Sequence, residues 1–419
     1  MSVRPLEVFV SPHGNAFMAD IAAWLVEAGH LLGRPSTLRA DGSLPDDPSA
    51  LNLVVAPHEL YTLGGYTDRE IDAATRASVP VATEQPGTTW FELTRILCAP
   101  SPAVLDINAH GTDALRAAGI DARHLRLGGV PSMDRRAGAV RDLDLLFLGG
   151  HTPHRGERLA ELAPLLWDRD VDLRLFSFAR PVAGGVDGLV FGTDKYDLLA
   201  RSRLLLNVHR DAAGPGYFEW ARMVEAAANG CCIVTEPATG HAPLVEGEHF
   251  VAASDLPTAV AELLEQPDRA AVIGERAAHA VLVDAPLTAS LGPELERLDG
   301  VPARRRSRLI APRYAGRIRR AHQIPLLPVF APHAELRERI YHALNAETAL
   351  QRRIERVRCL VRHGTDDHVE RVESAAYADA RPEVSVVVTL YDYAGVVAET
   401  LDSIAASEGV AFEVVVVDD

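Results

Sequence analysis

RLLLNVHRDAAGPGYFEWARMVEAAANGCCIVTEP, residues 203–237, decides the fold. RLLLNVH (203–209) is a continuous apolar run of strand length. YFEWARMVEAAANG (217–230) carries apolar residues at helical spacing and ends on a glycine. CCIVTE (231–236) is apolar again. Strands that show no polar alternation, separated by an amphipathic helix, read as parallel sheet covered by helices.

The same alternation extends outward. LDLLFLGG (143–150) reads as a strand, Arg155–Leu166 as a helix, DLRLFSF (172–178) and GLVFG (188–192) as strands, and KYDLLARS (195–202) as a helix. LPTAVAELLEQ (256–266) and its successor close this half. Ahead of it, LEVFV (6–10) is a strand, SPHGN a turn, and 16–30 a helix with Phe17, Ile21, Trp24, Leu25 and Ala28 on one face. LNLVVAPHE (51–59) and VPVATEQPG (79–87) each read as a strand running into a loop. AVLDIN (103–108), TDALRAAG (112–119) and HLRLGG (124–129) complete the first half. Pro131 and the polar run MDRRAGAVRD break the pattern. The fold class is therefore α/β, with two doubly wound Rossmann-like domains at about 1–135 and 140–295. Ligands of such sheets bind beyond the carboxyl ends of the strands, which points to the cleft between the domains.

Two segments differ. Eight arginines and no acidic residue lie between Asp299 and Glu335, and apolar residues recur at helical spacing from Leu336 to Val361. Residues 300–380 thus read as a basic connector and an amphipathic helix. The stretch Arg304–Arg320 suits either neutralisation of the acidic body or peripheral contact with anionic lipid headgroups. Residues 382–419 then begin a third α/β unit: strand 384–390, helix about 395–407, strand 412–417. One β-α-β unit cannot bury a core by itself. It reads as an incomplete unit of a longer protein.

Composition narrows the function. Apolar residues are 47% and charged residues 24%, as in a globular chain. A net charge of −16 argues against general nucleic-acid binding. Cys98, Cys231, Cys232 and Cys359 form no CxxC pair, which speaks against a zinc ribbon or a disulfide framework, and the cytosol is the expected compartment. Cys231 and Cys232 read as core. Every basic residue but Lys195 is arginine, so this lone lysine points to a role arginine cannot fill.

Two resemblances follow from these motifs. The strand–HGN–helix–GH opening, FLGGHTPHRGERL at the restart and LLLNVHRD…YFEWARMVEAAANGCCIVTEP make residues 1–295 similar to GT-B glycosyltransferases, near family 4 and the spore-maturation type. SVVVTLYDYAGVVAETLDSI…EVVVVDD resembles the opening of a family 2 GT-A glycosyltransferase. The resemblance implies a transferase moving a sugar from a UDP-, GDP- or dTDP-sugar to a hydroxyl acceptor, such as a glycan, with no metal in the GT-B part. A divalent metal would serve only the GT-A part, whose metal-binding motif would fall beyond residue 419. Two other readings stay open: a degenerate GT-B scaffold holding glycan for a downstream enzyme, and a nucleotide-sugar epimerase.

Candidate residues follow from both sources. By resemblance Glu225 binds the donor ribose and Arg155 a phosphate. The family's second acidic residue would fall at Tyr217, with Glu219 displaced by two, so the retaining or inverting outcome stays open. Gly216 ends a GPG loop that could approach a phosphate or simply turn the chain. Lys195 is placed among the phosphate ligands by its uniqueness, and His209 and Arg210 by their position at the carboxyl end of a buried strand. His13, in the loop after the first strand, and Glu84, at a strand end near Trp90 and Phe91, are the acceptor-side catalytic candidates. In the terminal unit Thr389, Tyr391, Asp418 and Asp419 would border a nucleotide. That unit alone is expected to be inactive.

Overall fold

The computed structural model describes residues 3–176, 189–211, 216–302, 381–390, 394–407 and 409–418. The chain divides into two compact units, 1–364 and 365–419. Of the connector and amphipathic helix expected over 300–380, everything from 303 onward, the arginine stretch included, lies outside the described residues, as do Tyr391 and Asp419.

The first unit holds two parallel sheets, which agrees with the expected pair of Rossmann-like domains. The first is built from β1 (Leu6–Phe9), α1 (Ala16–Leu31), β2 (Ser36–Arg39), β3 (Leu51–Val55), α2 (Pro57–Leu63), α3 (Asp68–Arg76), β4 (Val79–Ala82), α4 (Thr89–Cys98), β5 (Val104–Asp106), α5 (Ala109–Ala117) and β6 (Ala122–His124). Its strand order is β2-β1-β3-β4-β5-β6, with Leu6 opposite Leu51 and Val8 opposite Leu53. The order reverses between β1 and β3, so their carboxyl ends open a crevice there.

LNLVVAPHE does not run into a loop. Ala56 takes a left-handed turn (φ 49°), Pro57 opens α2, and the whole helix is buried. Proline suits the first helical position, where its missing N–H costs no hydrogen bond.

The second sheet comprises β7 (Leu143–Gly150), α6 (Pro153–Leu166), β8 (Val171–Phe176), α7 (Gly192–Arg201), β9 (Ser202–Asn207), α8 (Trp220–Ala228), β10 (Cys232–Thr235) and β11 (Val251–Ala252). Its order, β11-β10-β9-β7-β8, places a second reversal between β7 and β9. Two sequence expectations are corrected here. The described part of GLVFG, 189–192, is not a strand: Gly192 (φ 52°) already opens α7. The helix expected from Tyr217 begins at Trp220, because Tyr217 forms a β-bridge with Thr239.

Three helices follow, α9 (Leu256–Glu265), α10 (Pro267–His279) and, after a π turn at Ala280–Asp284, α11 (Leu287–Asp299). The last does not stay with the second sheet. It packs on α1, Arg34 grips Asp299 with two bonds of 3.0 and 2.5 Å, and Arg4 donates to Leu298 O at 2.6 Å. Leu291, Leu295 and Leu298 join Trp24, Leu25 and Ala28 in one apolar cluster, which also takes in Met223 and Val224 of α8. Each such fully buried side chain contributes roughly 1.5–3 kcal/mol. The chain leaves and re-enters the first domain at adjoining points: Gly128 lies where a Cβ would be 2.3 Å from Ala285 O.

The second unit is a parallel pair, β12 (Val384–Leu390) and β13 (Phe412–Asp418), joined by α12 (Ala394–Ala405). Thr389 pairs with Val417, and Asp418 ends β13. Val387, Val416 and Val417 are exposed.

Candidate active site

The two strand-order reversals supply the site. On the first domain the loop after β1 carries His13, Gly14 and Asn15. His13 is exposed, and its backbone N–H donates to Ser11 Oγ at 3.2 Å. Asn15 closes over Glu59 of α2, donating its backbone N–H at 3.0 Å and its side-chain amide to the two carboxyl oxygens. A Cβ at Gly14 would lie 2.1 Å from Glu59 Oε2, so only glycine permits this approach. Burial pushes the Glu59 carboxyl up to about 8, against the Asn15 bonds, which pull it down.

Beside it lie His58 and Glu84. Thr94 Oγ1 is 3.2 Å from His58 Nδ1, and His58 Nε2 is 3.4 Å from Glu84 Oε1. Burial pushes the His58 imidazole down to about 3, so the ring is neutral and carries one N–H. The hydroxyl of Thr94 can donate to Nδ1, which leaves the proton on Nε2, facing Glu84; this tautomer is assigned from the partners. Burial raises Glu84 to about 7, while Arg210 of the second domain draws it down. Asp106, at the end of β5, is held well above the ordinary range, first by burial and further by the charge of Glu84.

On the second domain, Thr152 caps α6 by accepting from Arg155 N at 3.2 Å, and its hydroxyl donates to Arg210 O at 2.6 Å. Arg155 is 3% exposed. Its guanidinium donates to Val208 O (2.9 Å), Gly150 O (2.9 Å) and Glu219 Oε1 (3.1 Å). Glu219 also meets Arg222 Nη1 at 2.8 Å, and Arg222 donates to Asn207 Oδ1 at 2.5 Å. Burial alone would raise the Glu219 carboxyl, but Arg222 and Arg155, with His209 and Arg210, hold it below its ordinary value. His209 donates its backbone N–H to Glu236 Oε2 at 2.8 Å, and its ring Nε2 lies 3.0 Å from Pro237 O. Gly216 sits where a Cβ would be 2.6 Å from His209 Nε2.

The structure therefore brings Arg155, His209, Arg210, Gly216 and Glu219 together, and Arg210 reaches Glu84 electrostatically from the other domain. Tyr217 frames the same mouth: its ring centroid is 4.9 Å from that of His110, whose Nε2 is 3.1 Å from Thr239 Oγ1.

Two expectations change. Arg155 is not a cation open to a phosphate, because the carbonyls of Gly150, at the end of β7, and of Val208, just past β9, take its donors and Glu219 takes its outer edge. Lys195 does not lie among His209 and Arg210. α7 begins at Gly192, and its first turn faces α1, so Lys195 Nζ meets Asp20 Oδ2 at 2.7 Å and Glu225 Oε1 at 2.6 Å. Glu225 is thus at the seam between the domains, 4% exposed, and raised to about 7 by burial despite Lys195.

His58, Glu59, Asp106 and Arg222 were not among the sequence candidates. The Pro-His-Glu after an apolar strand was the available signal for the first two. Among the described residues, no three His, Cys, Asp or Glu side chains are grouped as a metal ion would need, and no helix is long and apolar enough to cross a membrane.

Residues 167–287 match a family model described as glycosyl transferase-like. No curated protein matches the chain. Among solved structures, HepE of Anabaena in complex with UDP-glucose is 13% identical, with 70% of this chain and 100% of that chain covered and a TM-score of 0.46. AviGT4, a glycosyltransferase involved in avilamycin A biosynthesis, is 18% identical over 70% of this chain and 98% of its own, at a TM-score of 0.44. A sucrose-phosphate synthase from Thermosynechococcus elongatus is 11% identical over 70% and 99%, at 0.45.

Proposed function

We propose that the protein is a glycosyltransferase that moves a sugar from a nucleotide-sugar donor to a hydroxyl acceptor in the crevice between its two Rossmann-like domains, without a metal ion. One observation carries the reading: the exposed cation Arg210, past the strand-order reversal of the second sheet, acts electrostatically on the carboxyl of Glu84, which follows β4 at the carboxyl edge of the first. The family match over 167–287 supports placing the donor on the second domain.

In this reading Arg210 and His209, with the amino end of α6, face the departing diphosphate. Arg155 holds Glu219 beside them. Glu225 accepts from the donor ribose. Glu84 and His13 border the acceptor hydroxyl, and Glu84, titrating near neutrality, takes its proton as the new glycosidic bond forms and the donor's bond to phosphate breaks.

Calorimetric titration of the full chain with UDP, GDP and dTDP, each with and without chelator, tests this. Binding of one diphosphate, indifferent to chelator and weakened in Arg210→Ala, is expected. No binding of any of the three by a folded sample would overturn the reading and leave a scaffold that holds glycan.

A further inference from the structure

Lys195 is the one lysine of the chain, and it is almost wholly buried. Its Nζ sits between two carboxylates from different domains, Asp20 of α1 at 2.7 Å and Glu225 of α8 at 2.6 Å. The amino end of α7 adds to the grip on Asp20, with Gly192 N donating to its Oδ2 at 3.4 Å. Around the triad, Trp24 of α1 donates to the Tyr196 hydroxyl at 2.7 Å, which closes the seam from the other side. Along α8, Glu219, Arg222 and Glu225 follow at three-residue spacing, so alternating charges run from the crevice to this seam.

Removing one partner of a buried ion pair leaves a charge without compensation, and the remaining group then favours its neutral form. A buried glutamic acid that has become neutral accepts poorly from two vicinal hydroxyls. The compact ammonium fits a point between two carboxylates. A planar guanidinium on a longer stem must push one of them aside.

We propose that Lys195 is a positioning residue for nucleotide recognition: it fixes the Glu225 carboxylate by Oε1 against α1, so that Oε2 accepts from the ribose hydroxyls of the donor only while the two domains are joined at Asp20. This rests on the ribose role proposed for Glu225. It explains why a chain that uses arginine everywhere else keeps lysine here.

The test compares ribonucleotides with their 2′-deoxy forms, UDP against dUDP and GDP against dGDP, by calorimetry on the full chain. The ratio of the two affinities reports on ribose contacts and does not move with global stability. Wild type is expected to favour the ribo form by about 10-fold or more, the worth of one charge-assisted hydrogen bond. Glu225→Gln should bring the ratio close to one, and Lys195→Met should do the same. Should Lys195→Met fail to fold, Lys195→Arg keeps the charge at the seam and is expected to lose the preference as well. A wild type without ribose preference overturns the Glu225 role and this inference with it. A preference lost in Glu225→Gln but kept in either folded Lys195 variant overturns the inference alone.

Discussion

His58 Nε2 stands 3.4 Å from Glu84 Oε1, with Thr94 fixing the other ring nitrogen. A neutral imidazole whose Nε2–H is turned toward Glu84 at this distance, short of a hydrogen bond, favours the carboxylate form by its dipole. The groups facing Glu84 are His58, Glu59, Asp106 and, from the other domain, Arg210. Burial puts Glu84 at about 7, so transfer should rise with pH through that value. Glu84→Gln is expected to lower the transfer rate by ~10²–10⁴-fold, the usual contribution of a positioned base. His58→Ala should move the acid limb upward by less than about one pH unit, because the contact falls short of a hydrogen bond, and His58→Gln by less still. Rate profiles between pH 5 and 9 decide it, and superimposable limbs would refute the link.

Glu59 makes an opposite demand on stability. Its carboxyl titrates at about 8 in the folded protein and near 4.5 otherwise. A raised carboxyl stabilises the fold fully below its unfolded value, and this contribution is lost as pH climbs through the folded value. Each tenfold displacement is worth ~1.4 kcal/mol, so the loss amounts to a few kcal/mol. Glu59→Gln should therefore melt above wild type at pH 9 and close to it at pH 5. Thermal melts at the two pH values check this; a variant that melts lower at both would mean the site prefers the ionised group.

Arg155 is expected to fail as a structural residue before it fails as a ligand. Lysine cannot reach Val208 O, Gly150 O and Glu219 together, so Arg155→Lys should destabilise almost as much as Arg155→Met, by ~3–5 kcal/mol for a broken buried pair. Denaturant unfolding measures the loss. A lysine variant of wild-type stability with weakened nucleotide binding would restore Arg155 to the phosphates.

Much of this fold could be read from local pattern. β9, α8 and β10 follow from apolar runs and helical spacing in 203–237, and so does the place of His209 and Arg210 at the carboxyl end of β9; the reversal beside them shows only in the strand order of the folded sheet. What stayed hidden depends on distant partners. Glu59 is a functional candidate only because Asn15, 44 positions away, folds over it. Lys195 stood out by its rarity, but Asp20 lies 175 positions before it, and no spacing rule connects them. GLVFG has strand composition, yet the sheet takes its neighbour to β7 from Ser202–Asn207 instead. α2 was lost for a simpler reason: a seven-residue helix buried on all sides has no polar face to reveal its period.

The return of α11 to α1 also bears on the order of synthesis. Leu25 and Ala28 are covered by Leu291 and Leu295. The clasp of Arg34 on Asp299 joins residues 265 positions apart. The first domain is thus assembled from both ends of a 299-residue stretch. On the ribosome its sheet can form early, but the apolar side of α1 stays uncovered until the second domain has been made and its last helix has emerged. For that interval the nascent chain presents a sticky surface that only its own later sequence can cover, so the first domain is complete only after the second.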